Sequence, residues 1–506
     1  MFGRQLITTD VEDITIDNVC GVLQTAMTKH SQNFNDIQYL WEYYRGEQPV
    51  LARKPVDRED INNPVVENVA YEIVEFKTGY LTYEAIQLVS NSESETVTKS
   101  VEKLNKYMNA LDKGSLDMEL ALWLHVCGLA YRMVLPNRVK KRADGEVPFF
   151  IFIPDPRYTF VVVTNDIRRK PVMAVNYVTR ADGTVVYNCY TDKRYFKIAD
   201  QTTVEDAKPN PLGIPIIEYH ANLARLGAFE VVLSLADALN EIESNRADAI
   251  EKFVQAILVF HNVKIDDDTF KDLKTKGAIN IKDIDPQLKA EIEYLVKELN
   301  QDQTETLANH LYERILTICG MPNRNGGNKS TSDTGKAVIY RDGWGAAEYR
   351  AKMTEGGFRI AEKQFLKLVL KICREMSDVD LTLMDIEIRM PRRNYDNIKE
   401  KADVLTMMLE NGQIDPRLAF EHCGMFVDPE TAYLLSKKYA EEQEQKQLEM
   451  MNEMAGVTPR DAHGDHDSHG GSRGGSGETL VVYQNNRRKK KSGTPKDADG
   501  DGKINE

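Results

Sequence analysis

The sequence predicts an α+β protein that is mainly helical, and three observations predict it. Apolar residues recur every three or four positions through most of the first 133 residues, and again after residue 229. Between residues 138 and 198 the pattern changes to short β-rich runs such as FFIFIPDP, YTFVVVTND and VMAVNYVTRADGTVVYNCYTD. Residues 229–260 then carry the longest periodic helical stripe in the chain.

A first helix over 15–46 places Val19, Val22, Leu23, Met27, Ile37, Leu40, Trp41 and Tyr44 at helical spacing. It should stop near Gly46, ahead of Pro49. A second, over 65–81, aligns Val66, Val69, Ile73, Phe76 and Tyr80, with Pro64 where a first-turn proline belongs. A third runs from the N-cap candidate Ser94 to residue 110, and a fourth covers 116–133. Asp182-Gly183 between two alternating runs signals a hairpin, and Asp144-Gly145 is a weaker signal. The β-rich stretch thus reads as an antiparallel sheet flanked by helices, and the first 220 or so residues as one α+β domain.

The 229–260 stripe consists of Val232, Leu235, Leu239, Ile242, Ile250, Phe253, Val254 and Ile257. A helix of about 30 residues rises about 45 Å, more than a compact domain usually needs. The runs LVFHNVKI, GAINIKDI and EIEYLVKEL make a small strand-rich insert over 258–300. Helical spacing resumes at Leu307, Leu311, Ile315 and Ile318 and ends at Gly320-Met321-Pro322. Long helix, insert and returning helix describe a stalk with a tip. Further helix is expected over 336–340 and 346–373, interrupted by Gly343, Gly345, Gly356 and Gly357. A strand over 381–390 and helices over 397–411, 416–423 and 429–451 follow. The tail from about residue 456 lacks the apolar residues that offset ordering entropy, and is expected to be disordered.

The net charge is -14, from 79 acidic and 65 basic residues. That balance argues against a broad basic face for holding DNA, since tight binding needs Lys and Arg to displace counterions. It is compatible with a surface that DNA slides past. No apolar run approaches the ~20 residues of a membrane span. The opening MFGRQLITTD lacks the layout of a secretory signal, so a cytoplasmic start without a membrane role is expected. The six cysteines are scattered, with no C-x-x-C pair, and read as free, mostly buried thiols.

The stretch GGNKSTSDTG, 326–335, imitates a phosphate-binding loop. That motif needs glycine before its lysine, whereas Asn328 precedes Lys329, and it needs a strand before the loop, whereas LANHLYERILTICG is helical in period. His463, His466 and His469 among aspartates are a weak candidate for a divalent metal, but their composition reads as solvated linker; the calcium-loop-like residues 497–504 lack the acidic ligand at position twelve. The basic run NRRKKK at 486–491 fits contact with nucleic acid or an acidic partner, and fits a solvated charge run at least as well. His30, His125, His220, His261, His310 and His422 stand singly and read as structural. Without G-x-S-x-G or H-E-x-x-H, the sequence predicts no catalytic residue, cofactor or metal.

Six segments in order resemble the portal proteins of tailed bacteriophages, of the long non-contractile-tailed type. They are YYRGEQPV at 43–50, NNPVVENVAYEIVEFKTGYLTYEAI at 62–86 and GLAYRMV at 128–134. PNPLGIPIIEYHAN with AFEVVLSLADALNEIESNRAD follows at 209–248, then CGMPNRN and SDTGKAV within 319–338. The last is IEIRMPRRNYDNIKEKADVLTMMLENGQIDPRLAFEHCGMFVDPETAYLLSKKYAEE at 386–442. Two departures stand out: Asp333-Thr334-Gly335 where the family usually has Ser-Gly before a small residue, and RLGA at 225–228 without the acidic residue often found there.

The resemblance implies a portal fold and a homo-oligomeric ring of about 12 subunits at one capsid vertex, assembled in the host cytoplasm. It implies an arm over 1–35, an α+β wing over 36–225, stem helices over 226–258 and 301–321, and a clip over 259–300. A channel-loop region over 322–357, a wing return over 358–394, crown helices over 395–450 and a tail over 451–506 complete it. The implied partners are the terminase, the head-tail adaptor, major capsid and scaffold proteins, and double-stranded DNA without sequence specificity. Lys329, Lys336, Arg341, Arg350 and Lys352 are the candidate DNA contacts in the channel. The rival reading is a terminase-like packaging ATPase or nuclease.

Overall fold

In a computed structural model the described residues are 3–55, 60–92, 94–138, 146–254, 257–261, 291–295, 301–323, 343–391, 398–426 and 428–454. The chain divides into two units, Met1–Leu435 and Ser436–Glu506. Residues 436–454, the described part of the second, are helical. The expected disordered tail, with its histidine, calcium-loop-like and basic runs, otherwise lies outside the described residues.

The first unit opens with β1 (Thr8–Thr9) and α1 (Val19–Tyr44), which buries Val19, Leu23, Ala26, Ile37 and Leu40. Gly46, at φ 92°, turns the chain after α1 and Pro49 starts a 3-10 turn, as the sequence implies. Helix α2 (Val69–Leu81) begins later than Pro64 predicts. Asn68 is its N-cap, accepting the Tyr71 N–H at 3.2 Å, because the N–H groups of residues 63, 65 and 67 are already bound elsewhere. Next come β2 (Gln87–Ser90), α3 (Glu95–Ala110) and α4 (Lys113–Cys127).

The fourth helix was expected to reach residue 133, yet it stops at Gly128. That residue has φ 77°, and a Cβ there would stand 2.3 Å from the Arg225 carbonyl oxygen. The following residues form β3 (Leu129–Pro136), whose first six residues are all buried. A strand buried on both faces shows no alternation, so it imitates a helix end in sequence.

The other strands of this region are β4 (Phe149–Phe152), β5 (Thr159–Thr164), β6 (Pro171–Thr179), β7 (Val185–Thr191), β8 (Arg194–Ala199), β9 (Thr203–Pro209) and β10 (Ile216–His220). One sheet has the order β1-β5-β6-β7-β8-β9, an antiparallel meander with β1 added parallel to β5. A second, antiparallel, has the order β10-β3-β4. Asp182-Gly183 does join β6 to β7, with Gly183 at φ 86°. Asp144-Gly145 lies outside the described residues. The strand-rich region is wider than 138–198: β3 precedes it, and β9 and β10 follow. TVEDAKP in β9 is mostly exposed and carries little apolar signal.

Then follow α5 (Leu233–Val254), β11 (Ile257–His261), β12 (Glu291–Leu295), α6 (Gln301–Cys319), α7 (Trp344–Met376), β13 (Ile386–Arg389), α8 (Ile398–Glu410), α9 (Pro416–His422) and α10 (Pro429–Met454). Helix α5 ends at Val254, short of residue 260, because Ile257 and its neighbours pair as strand β11. The glycines expected to interrupt α7 do not: Gly345, Gly356 and Gly357 lie inside it, and Gly343 precedes it at φ 87°. A Cβ on Gly357 would stand 3.1 Å from the His220 carbonyl oxygen, so this glycine lets α7 close onto β10. The expected 381–390 strand shortens to β13, which pairs with β2, behind a 3-10 turn.

One core joins α1, α2, α4 and α7 through residues such as Leu40, Ile73, Leu124 and Phe365; another packs Val19 and Leu23 of α1 on Phe160, Met173 and Phe196 of the large sheet. Inside the first core sits a cluster of buried charges. Lys113 Nζ is 2.7 Å from Asp117 Oδ2 and 2.9 Å from Glu362 Oε1, while Arg132 Nη1 is 2.6 Å from Glu362 Oε2. Arg132 also pairs with Asp117, and the Tyr219 hydroxyl donates to Glu362 Oε2 at 2.8 Å. Burial pushes the Glu362 carboxyl up, and Arg132 and Lys113 more than reverse that, holding it below the usual carboxylate range. The cluster ties α4, β3, β10 and α7 at one point.

Replacing one member strands the rest, which costs about 3–5 kcal/mol for a buried pair. Glu362→Leu should therefore lower the denaturant midpoint sharply, whereas Lys99→Ala, which removes the exposed Lys99–Glu95 pair, should leave it in place. Equal midpoints for the two variants would contradict the role assigned to the cluster.

Candidate functional site: the helical hairpin and its mounting

Helices α5 and α6 run antiparallel. At one end Arg246 Nη2 is 3.7 Å from Glu305 Oε2, and at the other Cys319 Sγ is 3.6 Å from the Ala228 carbonyl oxygen. Beyond the first end β11 pairs antiparallel with β12, Ile257 opposite Leu295 and His261 opposite Glu291. The order of long helix, insert and returning helix is thus a helical hairpin carrying a two-stranded ladder; the run GAINIKDI lies outside the described residues.

The polar side of α5 is not a solvent face. Asn240 and Ser244 are fully buried and Asp248 is 5% exposed. An extended segment crosses them: the N–H of Glu67 donates to Asn240 Oδ1 at 2.8 Å, that of Val65 to Ser244 Oγ at 2.9 Å, and that of Asn63 to Asp248 Oδ1 at 2.7 Å. Two residues of extended chain advance about 6.6 Å, and four residues of helix about 6 Å. Alternate backbone donors therefore stay in step with every fourth side chain. Arg53 Nη2 adds bonds to Asp248 Oδ2 at 3.0 Å and Asn245 Oδ1 at 2.9 Å, and Asn240 Nδ2 donates to Gln48 Oε1 at 2.5 Å.

The hairpin's base has a second anchor. Glu230 accepts from Arg4 Nη2 at 2.5 Å and from the N–H groups of Gly3 at 3.2 Å and Gly227 at 3.0 Å. Arg4 and Glu230 side chains are essentially inaccessible, so the N-terminal arm is clasped to the start of the hairpin. RLGA lacks an acidic residue of its own, yet Glu230 stands at this joint.

Of the candidate DNA contacts, Lys329, Lys336 and Arg341 lie outside the described residues, as does GGNKSTSDTG. The helix α6 just ahead of that stretch agrees with its rejection as a nucleotide loop, which would follow a strand. Arg350 and Lys352 sit two positions apart near the start of α7, so they do not share a face. Lys352 is exposed, 3.9 Å from Glu348. Arg350 lies on the end of α6: its Nη2 donates to the Ile318 carbonyl oxygen at 3.4 Å, and a Cβ on Gly320 would meet its Cγ at 2.8 Å.

A cavity of about 270 Å³ opens at this base, with Lys77, His125, Cys319 and Arg350 among its walls. Burial pushes the His125 imidazole down to about 3, with nearby Lys77 adding to the effect, and pushes the Cys319 thiol up to about 11. Both are uncharged at neutral pH. Sequence patterning missed Lys77 because it lies between apolar positions of α2, and missed Asn240, Ser244 and Asp248 because polar residues between apolar ones read as solvated. Among the described residues no group of three or more His, Cys, Asp or Glu could hold a metal ion, and no helix is long and apolar enough to cross a membrane.

The family model for phage portal proteins, SPP1 Gp6-like, matches residues 24–456, and the chain belongs to that family. It is therefore a channel-forming structural protein of a phage head-tail assembly. Among solved structures, a chain from the neck of an empty GTA particle is similar at 11% identity and a TM-score of 0.41, over 70% of this chain and 90% of that one. No curated protein matches in sequence.

Losing the Asn240 side chain leaves the Glu67 N–H and the Gln48 Oε1 without a partner in a buried place. Asn240→Leu should cost about 1–3 kcal/mol of stability. The loss should exceed that of Asn245→Leu, whose Oδ1 takes an exposed bond; equal losses in urea titrations would contradict the register described here.

Proposed function

We propose that the chain forms a ring of about 12 copies at one capsid vertex, through which DNA is packaged and later ejected. The match over 24–456 carries this reading, and the mounted hairpin supports it. In it α5 and α6 are the stem that walls the channel, and the β11–β12 ladder belongs to the clip, which docks first the terminase and then the head-tail adaptor. The arm (1–35) and wing (36–225, with the return over 358–394) form the outer body, and α8 to α10 the crown within 395–450. Major capsid and scaffold proteins would meet the outer surface.

The ring is a conduit, and packaging energy comes from a separate motor. An acidic chain, net charge -14, favours loose, sequence-independent passage of DNA over tight holding. Basic side chains that touch passing phosphates are sought among Lys329, Lys336, Arg341, Arg350 and Lys352. Exposed apolar residues on the hairpin and its base, Val231, Ile250 and Leu307, are about half accessible in the single chain and suit packing between neighbouring copies.

Negative-stain microscopy of the purified chain should show rings of about a dozen subunits with a central hole. Monomers under every condition would overturn the proposal. Nucleotide turnover abolished by Lys329→Ala would instead favour a packaging ATPase.

A further inference from the structure

The cavity at the hairpin's base is one-sided in charge. Its walls come from α2, the end of α4, the segment 221–231, the end of α6 and the start of α7. Among the described residues they include Lys77 and Arg350 but no aspartate or glutamate. Cys319 and His125 contribute no charge at neutral pH, for the reasons given above. Among the described residues no ion pair or hydrogen bond satisfies the Lys77 ammonium, and burial, with Arg350 nearby, pulls its pKa down. Among the described residues Arg350 spends one N–H on the Ile318 carbonyl oxygen and keeps others of its fork for another acceptor.

Two cations on one cavity repel each other, and Lys77, half-buried, also loses hydration, whereas Arg350 reaches solvent. Lys77 could relieve this by shedding its proton, but arginine stays charged at any working pH. An anion between them relieves the repulsion, and Phe76 and Leu226 in the walls strengthen its attraction by excluding water. The volume is near the lower end, ~300 Å³, of small-ligand sites. We propose that this cavity binds one phosphate-sized oxyanion per chain, held between the Lys77 ammonium and the Arg350 guanidinium. Occupation would join α2 of the wing to the α6–α7 junction and stiffen the mounting of the hairpin. The site goes beyond the portal reading and does not depend on it.

The test is calorimetric titration of the full-length chain with inorganic phosphate at constant ionic strength set by chloride. Saturable binding of one phosphate per chain is expected. Lys77→Met and Arg350→Gln should each weaken it by about tenfold or more, the usual cost of a charge-assisted bond, while Lys193→Gln on the distant sheet leaves it unchanged. A short duplex that displaces the phosphate would identify a DNA backbone phosphate as the natural source, and one that does not would leave the free ion; either result supports the site. Absence of saturable binding, or equal affinity in Lys77→Met, overturns it. Thermal unfolding without phosphate gives a second check. Lys77→Met should then be at least as stable as the parent, and a marked loss would mean that Lys77 is already paired within the chain, which also overturns the proposal.

Discussion

The hairpin stands on a register match between an extended backbone and a helix. Residues 63, 65 and 67 present their N–H groups at a spacing of about 6.6 Å, and residues 248, 244 and 240 present acceptors at about 6 Å. Over three bonds the mismatch stays near an ångström, which side-chain rotation absorbs. A purely apolar seam would leave sliding cheap, since greasy contacts are not directional. A buried polar ladder makes a slip of one residue cost several unsatisfied donors at 1–3 kcal/mol each. The direction of α5 relative to the 63–67 segment is therefore fixed by hydrogen bonds rather than by burial alone.

Two further devices hold the same frame. Glu230 collects Arg4 and two backbone donors at the foot of α5, so the first residues of the chain close the base. The cluster of Lys113, Asp117, Arg132 and Glu362 fastens α7, on which α6 leans through Arg350, to the sheet that contains β3 and β10. Such clusters bring little net stability over apolar packing, because desolvation offsets attraction. They do penalise partial disruption heavily. A subunit of a channel-forming assembly gains from joints that are fully made or not made at all.

Much of this was legible in the sequence. The face of α1, the Asp182-Gly183 hairpin and the hairpin order of α5 and α6 follow from period and turn chemistry, which act locally. What stayed hidden depends on partners far along the chain. The 63–67 segment looks like a helix start behind Pro64 until its N–H groups find α5, nearly 180 residues away. Asn240, Ser244 and Asp248 look solvated because nothing local says that an extended segment will cover them. Strand β3 imitates a helix because burial on both faces erases its alternation, and the glycines of α7 imitate breaks although one of them serves close packing on His220. Among the candidate DNA contacts the sequence could not separate Arg350, which braces α6, from Lys352, which faces solvent.

Polar ladder, foot and charge cluster together give a rigid mounting for a pair of helices, and a ring of such pairs is what a channel wall requires. Electron microscopy of assembled rings, at a resolution that separates helices, tests this most directly. The account predicts that α5 and α6 of every copy surround the bore, with the six-stranded sheet outside them. A bore lined by that sheet, with the hairpin on the periphery, would contradict it.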